Sequence, residues 1–268
     1  MCSSITGRAM LDWYMQLEDY CCFLAAYQLP LPTVWREENV RIRRQLAEVD
    51  YPRLSKDERK RRMLDDIFAE LLMLIPKLGD ITHVTPTLKT LDEPLRSKNA
   101  GYLVKELEQY METIDQFLML PHVVETLEPK TRIPHRSKHE ECCPPAPFTP
   151  YHMQFPPAGV LRMVIFGIKW YIRTVVYPAI RNESNSLECS PLEYQESSYY
   201  SLEICKTFAG IEETLDDSDS LIPLFSLVMM STTTCSRELR LWLWYKLRHF
   251  EALGYLAFEP MKKYLAAM

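Results

Sequence analysis

The densest set of metal-binding side chains in this chain lies in "HRSKHEECC", residues 135–143. Four of its residues are of types that bind zinc: His135, His139, Cys142 and Cys143. Two adjacent cysteines reach neighbouring corners of one tetrahedron only with difficulty, and the two prolines that follow stiffen the backbone further. The sequence contains no C-x-x-C pair. We therefore expect a loop with incidental ligands and no bound metal.

The usual sequence signatures of catalysis and phosphate binding are missing from the chain. It contains no G-x-S-x-G, no H-E-x-x-H, no G-x-x-x-x-G-K and no G-x-G-x-x-G. The six histidines are scattered. His249 lies in an aromatic segment, where a surface or core-edge position is commoner than a role as a base. We therefore expect no enzymatic activity and no cofactor.

A basic cluster stands out in "KDERKRR", residues 56–62. Five of these seven residues carry positive charge, namely Lys56, Arg59, Lys60, Arg61 and Arg62. Such clusters are typical of nuclear-import signals and of phosphate contacts. The alternative is the solvated face of a helix near its start. The cluster is therefore a candidate nuclear-import signal.

The segment "CSRELRLWLWYKLRHFEALG", residues 235–254, combines aromatic and charged side chains. On a helical wheel the leucines other than Leu241 share one broad face with Trp242, while Arg240, Arg248 and Glu251 lie on a narrow polar strip. Trp and Arg are favoured as anchors of protein interfaces, although core packing is the commoner role of a buried Trp. The candidate core or partner-contact anchors are Trp242, Trp244, Tyr245, Arg240 and Arg248.

Helices are predicted to position these residues. Ser55 with Glu58, and Ser190 with Glu193, match the capping box that opens a helix. Apolar residues then recur at steps of three and four, whereas no strand-like alternation of useful length competes. The predicted helices are 8–28, 37–50, 56–75, 98–119, 160–180, 191–214, 221–231 and 237–253. We predict an all-α fold, a regulatory domain of about eight helices interrupted by a proline-rich loop.

The predicted helix 160–180 is long enough to cross a membrane, but it is not wholly apolar. Its cations Arg162, Lys169 and Arg173 lie within roughly 40° of one another on a helical wheel. One narrow charged stripe is typical of a helix sunk in a protein with a single wet edge. The alternative, a basic helix on a membrane surface, usually has a broader polar face. We expect no membrane contact.

Prolines divide the chain into two helical parts. Nine of the nineteen prolines fall between Met119 and Gly159, and proline removes backbone donors and restricts the residue before it. We predict an N-terminal helical part at 1–118, a linker or lid at 119–159 and a C-terminal helical part at 160–268. The two parts are expected to share one regulatory domain.

Composition narrows the classes of partner. The 31 basic residues nearly balance the 36 acidic ones, so no global charge favours nucleic acid or anionic lipid. Apolar residues make up 47% of the chain, which is ample for a core. The first ten residues lack the apolar stretch of a signal peptide, so the eight cysteines are expected in a reducing, intracellular compartment.

Four stretches together carry a resemblance to a known family. They are "LDWYMQLEDYCCFLAAYQLPLPTVWREENVR", "FPPAGVLRMVIFGIKWYIRTVVYP", "SSYYSLEICKTFAGIEETL" and "CSRELRLWLWYKLRHFEALGYLAFEPMKKYLAAM". In this order they resemble the carboxy-terminal regulatory region of fungus-specific transcription factors of the binuclear zinc-cluster type. The resemblance covers most of the chain from about Leu11 onward.

This resemblance implies an all-helical regulatory domain in the nucleus, with the cytoplasm as the alternative location. It implies protein partners of transcription regulation, sensing of an effector in some relatives, and a homodimer or heterodimer among the allowed states. The family's DNA-reading module has six cysteines in paired C-x-x-C units, which this sequence lacks. Direct DNA contact and zinc are therefore not carried over. The alternative function is a helical ligand-binding or catalytic protein with a pocket beneath the proline-rich segment.

Overall fold

The computed structural model of the chain describes residues 33–120, 127–129, 146–153, 156–184, 191–212, 228 and 237–252. Within this part the fold is all-α, as predicted from the helical period of the apolar residues. The helices are α1 (Thr33–Asp50), α2 (Lys56–Leu72), α3 (Ile75–Val84), α4 (Glu93–Leu118), α5 (Pro156–Tyr171), α6 (Tyr177–Ser184), α7 (Pro191–Ile211) and α8 (Arg237–Ala252).

Shorter elements join these helices. Two 3-10 turns, Tyr51–Arg53 and Thr85–Thr90, follow α1 and α3, and one π-helical turn, Ile172–Val176, lies between α5 and α6. The strands β1 (Leu127–Pro129) and β2 (Tyr151–Met153) pair antiparallel, with Glu128 opposite His152. Each strand has three residues, so the sheet joins two short segments and does not form a layer of the core.

The chain divides by its internal contacts into two compact units. The first comprises residues 1–122 and 171–189, and the second comprises 123–170 and 190–268. The predicted division into 1–118, 119–159 and 160–268 stays a prediction.

The first unit is built on α1, α2, α4 and α6. Asp66 of α2 ties α1 to α2, because its carboxylate accepts from the Arg43 guanidinium at 3.1 Å and from the Tyr51 hydroxyl at 2.6 Å. The apolar residues of α4 recur at the predicted steps of three and four; five of them are buried, namely Leu103, Leu107, Tyr110, Met111 and Ile114, while Phe117 and Leu118 are half-buried. This pattern confirms the predicted core stripe of α4 over most of its length.

The start of α2 is closed by the predicted capping box. The Glu58 backbone N–H donates to the Ser55 hydroxyl at 3.3 Å, and the Ser55 backbone N–H donates to the Glu58 carboxylate at 3.0 Å. Both bonds satisfy donors that a helix start otherwise leaves unpaired. The Ser55 hydroxyl donates as well, and these bonds hold the pKa of Glu58 below its usual range. The second predicted box, at Ser190, lies outside the described residues.

The second unit contains the paired strands with α5, α7 and α8. Ile204, Phe208 and Ile211 of α7 are buried, as their helical spacing predicts. The continuous helical stretch Pro156–Glu183, which comprises α5, the π-helical turn and nearly all of α6, is long and apolar enough to cross a membrane by length and composition. Of its most apolar window, 67% is buried inside the protein, which is also the pattern of a core helix.

Several predicted boundaries differ from the observed ones. The predicted helix 56–75 ends at Leu72, and a separate α3 follows because Pro76, which cannot donate a backbone hydrogen bond, occupies its first turn. α4 starts at Glu93 rather than at 98, again with a proline in its first turn. The predicted helix 8–28 and nearly all of 221–231 lie outside the described residues, so the count of about eight helices stays a prediction.

Candidate interaction surface

One side of α8 belongs to the core of the second unit. Leu239, Leu243 and Leu247 are buried, and Trp242 is only 2% exposed. The Phe148 ring meets the Trp242 ring edge to face, with 5.1 Å between centroids. This geometry adds a favourable quadrupole contact to the burial of the Trp242 ring. Trp242 therefore acts as a core anchor.

The other side of α8 presents an apolar and cationic surface to solvent, which we call the outer face of α8. Leu241 is 54% exposed and Tyr245 is 38% exposed. Trp244 lies half-buried beside them. The outer face consists of Arg237, Arg240, Leu241, Trp244, Tyr245 and Arg248, which share one side of the helix at steps of three and four.

The cationic side chains on the two sides of α8 have different partners. Lys246, which lies beside the core, donates to the Glu212 carboxylate at 2.5 Å, and its ammonium stands 5.7 Å from the Trp242 ring. The Arg248 guanidinium instead stands 5.6 Å from the Trp244 ring on the outer face. Arginine over an aromatic face is attracted by the ring quadrupole and holds that ring in place.

The predicted nuclear-import cluster lies in the first two turns of α2, in the first unit. Lys56, Arg59 and Arg61 are exposed, and Lys60 and Arg62 are half-buried. The Arg62 guanidinium lies 3.6 Å from the Asp66 carboxylate that also binds Arg43 and Tyr51. The cluster therefore contains three exposed cations, Lys56, Arg59 and Arg61, and one cation, Arg62, that contacts a carboxylate of the same helix.

The second unit contains a buried ion cluster that no local sequence pattern predicted. The Glu203 side chain is 2% exposed, and one of its oxygens accepts from the Arg162 guanidinium at 2.5 Å and from the Tyr151 hydroxyl at 2.7 Å. Its other oxygen accepts from the Lys206 ammonium at 3.2 Å. Arg162 also stands 4.6 Å from the Phe166 ring. The carboxylate is thus surrounded by two cations and a phenol.

This cluster overturns the predicted wet edge of the helix 160–180. Arg162 is 8% exposed and Lys169 is 7% exposed, so neither faces water, whereas Arg173 is half-buried. Arg162 is kept inside by the Glu203 carboxylate, and the Lys169 ammonium stands 5.1 Å from the Tyr200 ring. The helical wheel predicts a solvated stripe because it cannot show the Glu203 carboxylate, which pairs with Arg162 from 41 residues further along the chain. The sequence signal for this ion pair is Glu203, an acidic residue that lies among buried positions of α7 such as Tyr200 and Ile204.

Burial and the neighbouring carboxylate together alter the acidity of Tyr151. Desolvation first, and the hydrogen bond that its hydroxyl donates to Glu203 second, raise the pKa of Tyr151 to about 12. Both effects disfavour the phenolate, because it would be poorly hydrated and would repel the carboxylate. The phenol therefore works here as a donor that holds β2 to α7.

The candidate zinc ligands His135, His139, Cys142 and Cys143 lie outside the described residues. Within the described ranges, no group of three or more His, Cys, Asp or Glu side chains is arranged to hold a metal ion. Comparison of the chain with protein-family models, with curated proteins and with solved structures found no match.

Proposed function

We propose that this chain is a nuclear regulatory module of the fungal transcription-factor type. It acts through contacts with other proteins and not by binding DNA itself. In this proposal about eight helices form one regulatory domain, and the proline-rich segment interrupts it as a linker or lid. The proposal rests on the sequence resemblance, on the helical fold and on the surface chemistry of α8.

The observation that carries the proposal is the outer face of α8. Leu241 is 54% exposed and Tyr245 is 38% exposed, next to arginines on the same side of the helix. Aromatic residues and Arg are the types most enriched in protein interfaces, and Lys and Glu are depleted there. A docking role explains why α8 carries bulky side chains on both of its sides.

Nuclear location is the part of the proposal that the basic cluster of α2 supports. Lys56, Arg59 and Arg61 are exposed, so their charges face solvent and are available to a partner protein. Replacing all three with Glu also leaves the helix intact, because acidic residues in the first turns favour the helix dipole. The Arg62–Asp66 contact is untouched by this change.

The test compares fluorescent fusions of the whole chain in fungal cells. We expect the chain to accumulate in the nucleus and the Lys56→Glu, Arg59→Glu, Arg61→Glu variant to lose that accumulation. Lys98→Glu with Lys105→Glu, two exposed positions of α4, is the matched control and should stay nuclear. An unchanged distribution of the first variant contradicts the import role. A salt-dependent, sequence-specific gel shift by this chain alone contradicts the protein-contact proposal.

The alternative, a ligand-binding or catalytic protein with a pocket beneath 119–159, stays a prediction. Most of that segment lies outside the described residues. The ion cluster around Glu203 does not favour it, because each of the cluster's charges already has a partner of opposite charge.

A further inference from the structure

The end of the proline-rich segment lies across helices of the second unit. We call residues 146–153 the strap; they comprise β2 and the five residues before it. The Phe148 ring meets the Trp242 ring of α8 with 5.1 Å between centroids, and the Tyr151 hydroxyl donates to the Glu203 carboxylate of α7 at 2.7 Å. Because Phe148 and Tyr151 are three residues apart, one short stretch of chain is attached to two helices.

The surface beneath the strap combines an indole ring with charged groups, and we call it the covered surface. It consists of Trp242, Glu203, Lys206 and Arg162. The Arg162 guanidinium stands 5.0 Å from the centre of the Tyr151 ring, and the Lys206 ammonium stands 5.7 Å from it. Both cations are attracted by the ring quadrupole, while Glu203 accepts from the hydroxyl. The covered surface therefore binds a tyrosine through its ring and through its hydroxyl.

The backbone of the strap offers few hydrogen-bond donors. Pro147 and Pro150 carry no backbone N–H, and Pro129 of β1, which lies opposite Tyr151, carries none either. The strands pair over three residues each, and a two-stranded pairing is marginally stable in water. Phe148 and Tyr151 are themselves only half-buried. The strap therefore belongs to the parts of a fold that open at a lower free energy than the core does.

We infer that the covered surface is a docking site for an extended segment of a partner protein, and that the strap occupies this site until the partner segment displaces it. The partner segment places an aromatic ring on Trp242 and, three residues later, a tyrosine on Glu203 and its two cations. The strap identifies this chemistry, because its own Phe148 and Tyr151 fill both positions. The inference goes beyond the proposed function and depends neither on nuclear location nor on the outer face of α8.

The strap of a second copy of the chain fits the covered surface less well. Only residues 154 and 155 separate β2 from α5, which carries Arg162 of the covered surface. This connection spans at most about 11 Å, so a strap that lies on a second copy has to bring its own α5 to the same place. A partner segment is free of this constraint. Exchange of straps between two copies is an outcome that the test distinguishes.

The test measures binding of a labelled peptide with the sequence of the strap, APFTPYHM, to the full chain by fluorescence anisotropy. The Phe148→Ser, Tyr151→Ser variant of the chain has lost both anchors of its own strap. We expect this variant to bind the peptide at least tenfold more tightly than the unchanged chain, in which the tethered strap competes at a high effective concentration. Leu95→Ser with Tyr102→Ser, which removes two exposed side chains from α4, is the matched control and should bind as weakly as the unchanged chain.

Changes in the peptide show what the covered surface recognises. A peptide with Tyr151→Phe lacks only the hydroxyl that Glu203 accepts and should bind the Phe148→Ser, Tyr151→Ser chain about tenfold more weakly, because hydrogen bonds to charged groups are the stronger ones. A rearranged peptide of the same composition, with its Phe and Tyr adjacent, should bind at least tenfold more weakly. A photoreactive benzoylphenylalanine in place of Phe148 in the peptide should cross-link to α8 near Trp242.

A milder variant keeps the test decisive if the doubly substituted chain loses its helical circular dichroism. Tyr151→Phe in the chain removes one hydroxyl and leaves the Phe148–Trp242 contact in place. We expect this chain to bind the unchanged peptide about threefold more tightly than the unchanged chain does, because its own strap competes less well. Equal affinity of these two chains for the peptide would contradict the inference.

Four results would overturn the inference: no binding of the peptide to the folded Phe148→Ser, Tyr151→Ser chain, equal binding to that chain and to the unchanged one, equal binding of the rearranged peptide, or a cross-link outside α7 and α8. Concentration-dependent dimers of the unchanged chain that the doubly substituted chain does not form would overturn it as well, because they assign the covered surface to the strap of a second copy. Peptide binding is measured on the purified chain, so its failure is distinguishable from a failure of nuclear accumulation.

Discussion

Glu203 shows how one acidic residue can fix the arrangement of its surroundings. Its buried carboxylate accepts from Arg162, Lys206 and Tyr151, which come from α5, α7 and β2. Moving a charge from water into the interior costs several kcal/mol unless partners and hydrogen bonds replace the lost water. Here the carboxylate is the shared partner, so the cluster depends on it more than on any one cation.

Replacement of Glu203 should therefore destabilise the second unit. We expect Glu203→Gln to lower the free energy of unfolding by about 3 kcal/mol, because Arg162 is left as a buried cation without a counter-charge. Urea unfolding followed by tryptophan fluorescence measures this change, since Trp170, Trp242 and Trp244 all lie in this unit.

Two further variants separate charge from packing in this experiment. Arg162→Met combined with Glu203→Leu removes both buried charges and should recover about half of the loss or more, as apolar replacements of buried ion pairs often do. Glu238→Gln, an exposed change on α8, should stay within about 0.5 kcal/mol of the unchanged chain. A loss for Glu203→Gln as small as that of Glu238→Gln would show that the cluster does not hold the unit together.

The acidity of Tyr151 gives a pH-dependent prediction. Its pKa in the folded chain is about 12, compared with about 10 for an exposed phenol. The unfolded chain therefore releases this proton first, so the contribution to stability is fully present below about pH 10 and is lost as the pH rises to about 12. Difference absorbance between the unchanged chain and Tyr151→Phe should titrate with a midpoint near 12. A midpoint near 10 would contradict the buried hydrogen bond to Glu203.

At the scale of elements, the capping box at the start of α2 could be predicted because its two residues are close in sequence. The Ser55–Glu58 box depends on residues three apart, so the sequence contains the whole interaction. The buried stripe of α4 was likewise predictable, because its period follows from helix geometry alone. The orientation of Arg162 was not, because it depends on a partner in another helix.

The capping box should contribute measurably to the first unit. We expect Ser55→Ala to lower the free energy of unfolding by about 1 kcal/mol, because the Glu58 backbone N–H loses its acceptor at the start of α2. Thermal unfolding followed by circular dichroism measures the change. Ser97→Ala, an exposed position within α4, is the control and should not destabilise the chain, since Ala is the better helix former. Equal melting of both variants with the unchanged chain would mean that the box is dispensable.

The same distinction between local and distant information holds for α8. Its helical wheel grouped Trp242 with Leu239, Leu243 and Leu247 on one face, and all four are buried. The wheel could not tell whether Leu241 and Tyr245 would be covered, because that depends on which elements of the fold lie next to α8. Their exposure turns a question about packing into a proposal about partners.

At the scale of the whole molecule, the class of fold could be predicted from the sequence, but the grouping of its parts could not. Capping boxes and a persistent helical period of the apolar residues predicted helices throughout. The contacts place residues 171–189 in the same unit as residues 1–122. Such grouping depends on contacts between residues far apart in the chain, which no local pattern encodes.

The central proposal is that this chain regulates transcription through protein contacts made by the outer face of α8. The most direct measurement fuses the chain to an unrelated DNA-binding module and follows a reporter gene in fungal cells. We predict at least a fivefold change in reporter output relative to the module alone, lost in the Leu241→Ser, Tyr245→Ser variant at equal protein level and kept in Leu95→Ser, Tyr102→Ser. An output equal to that of the module alone would contradict the account.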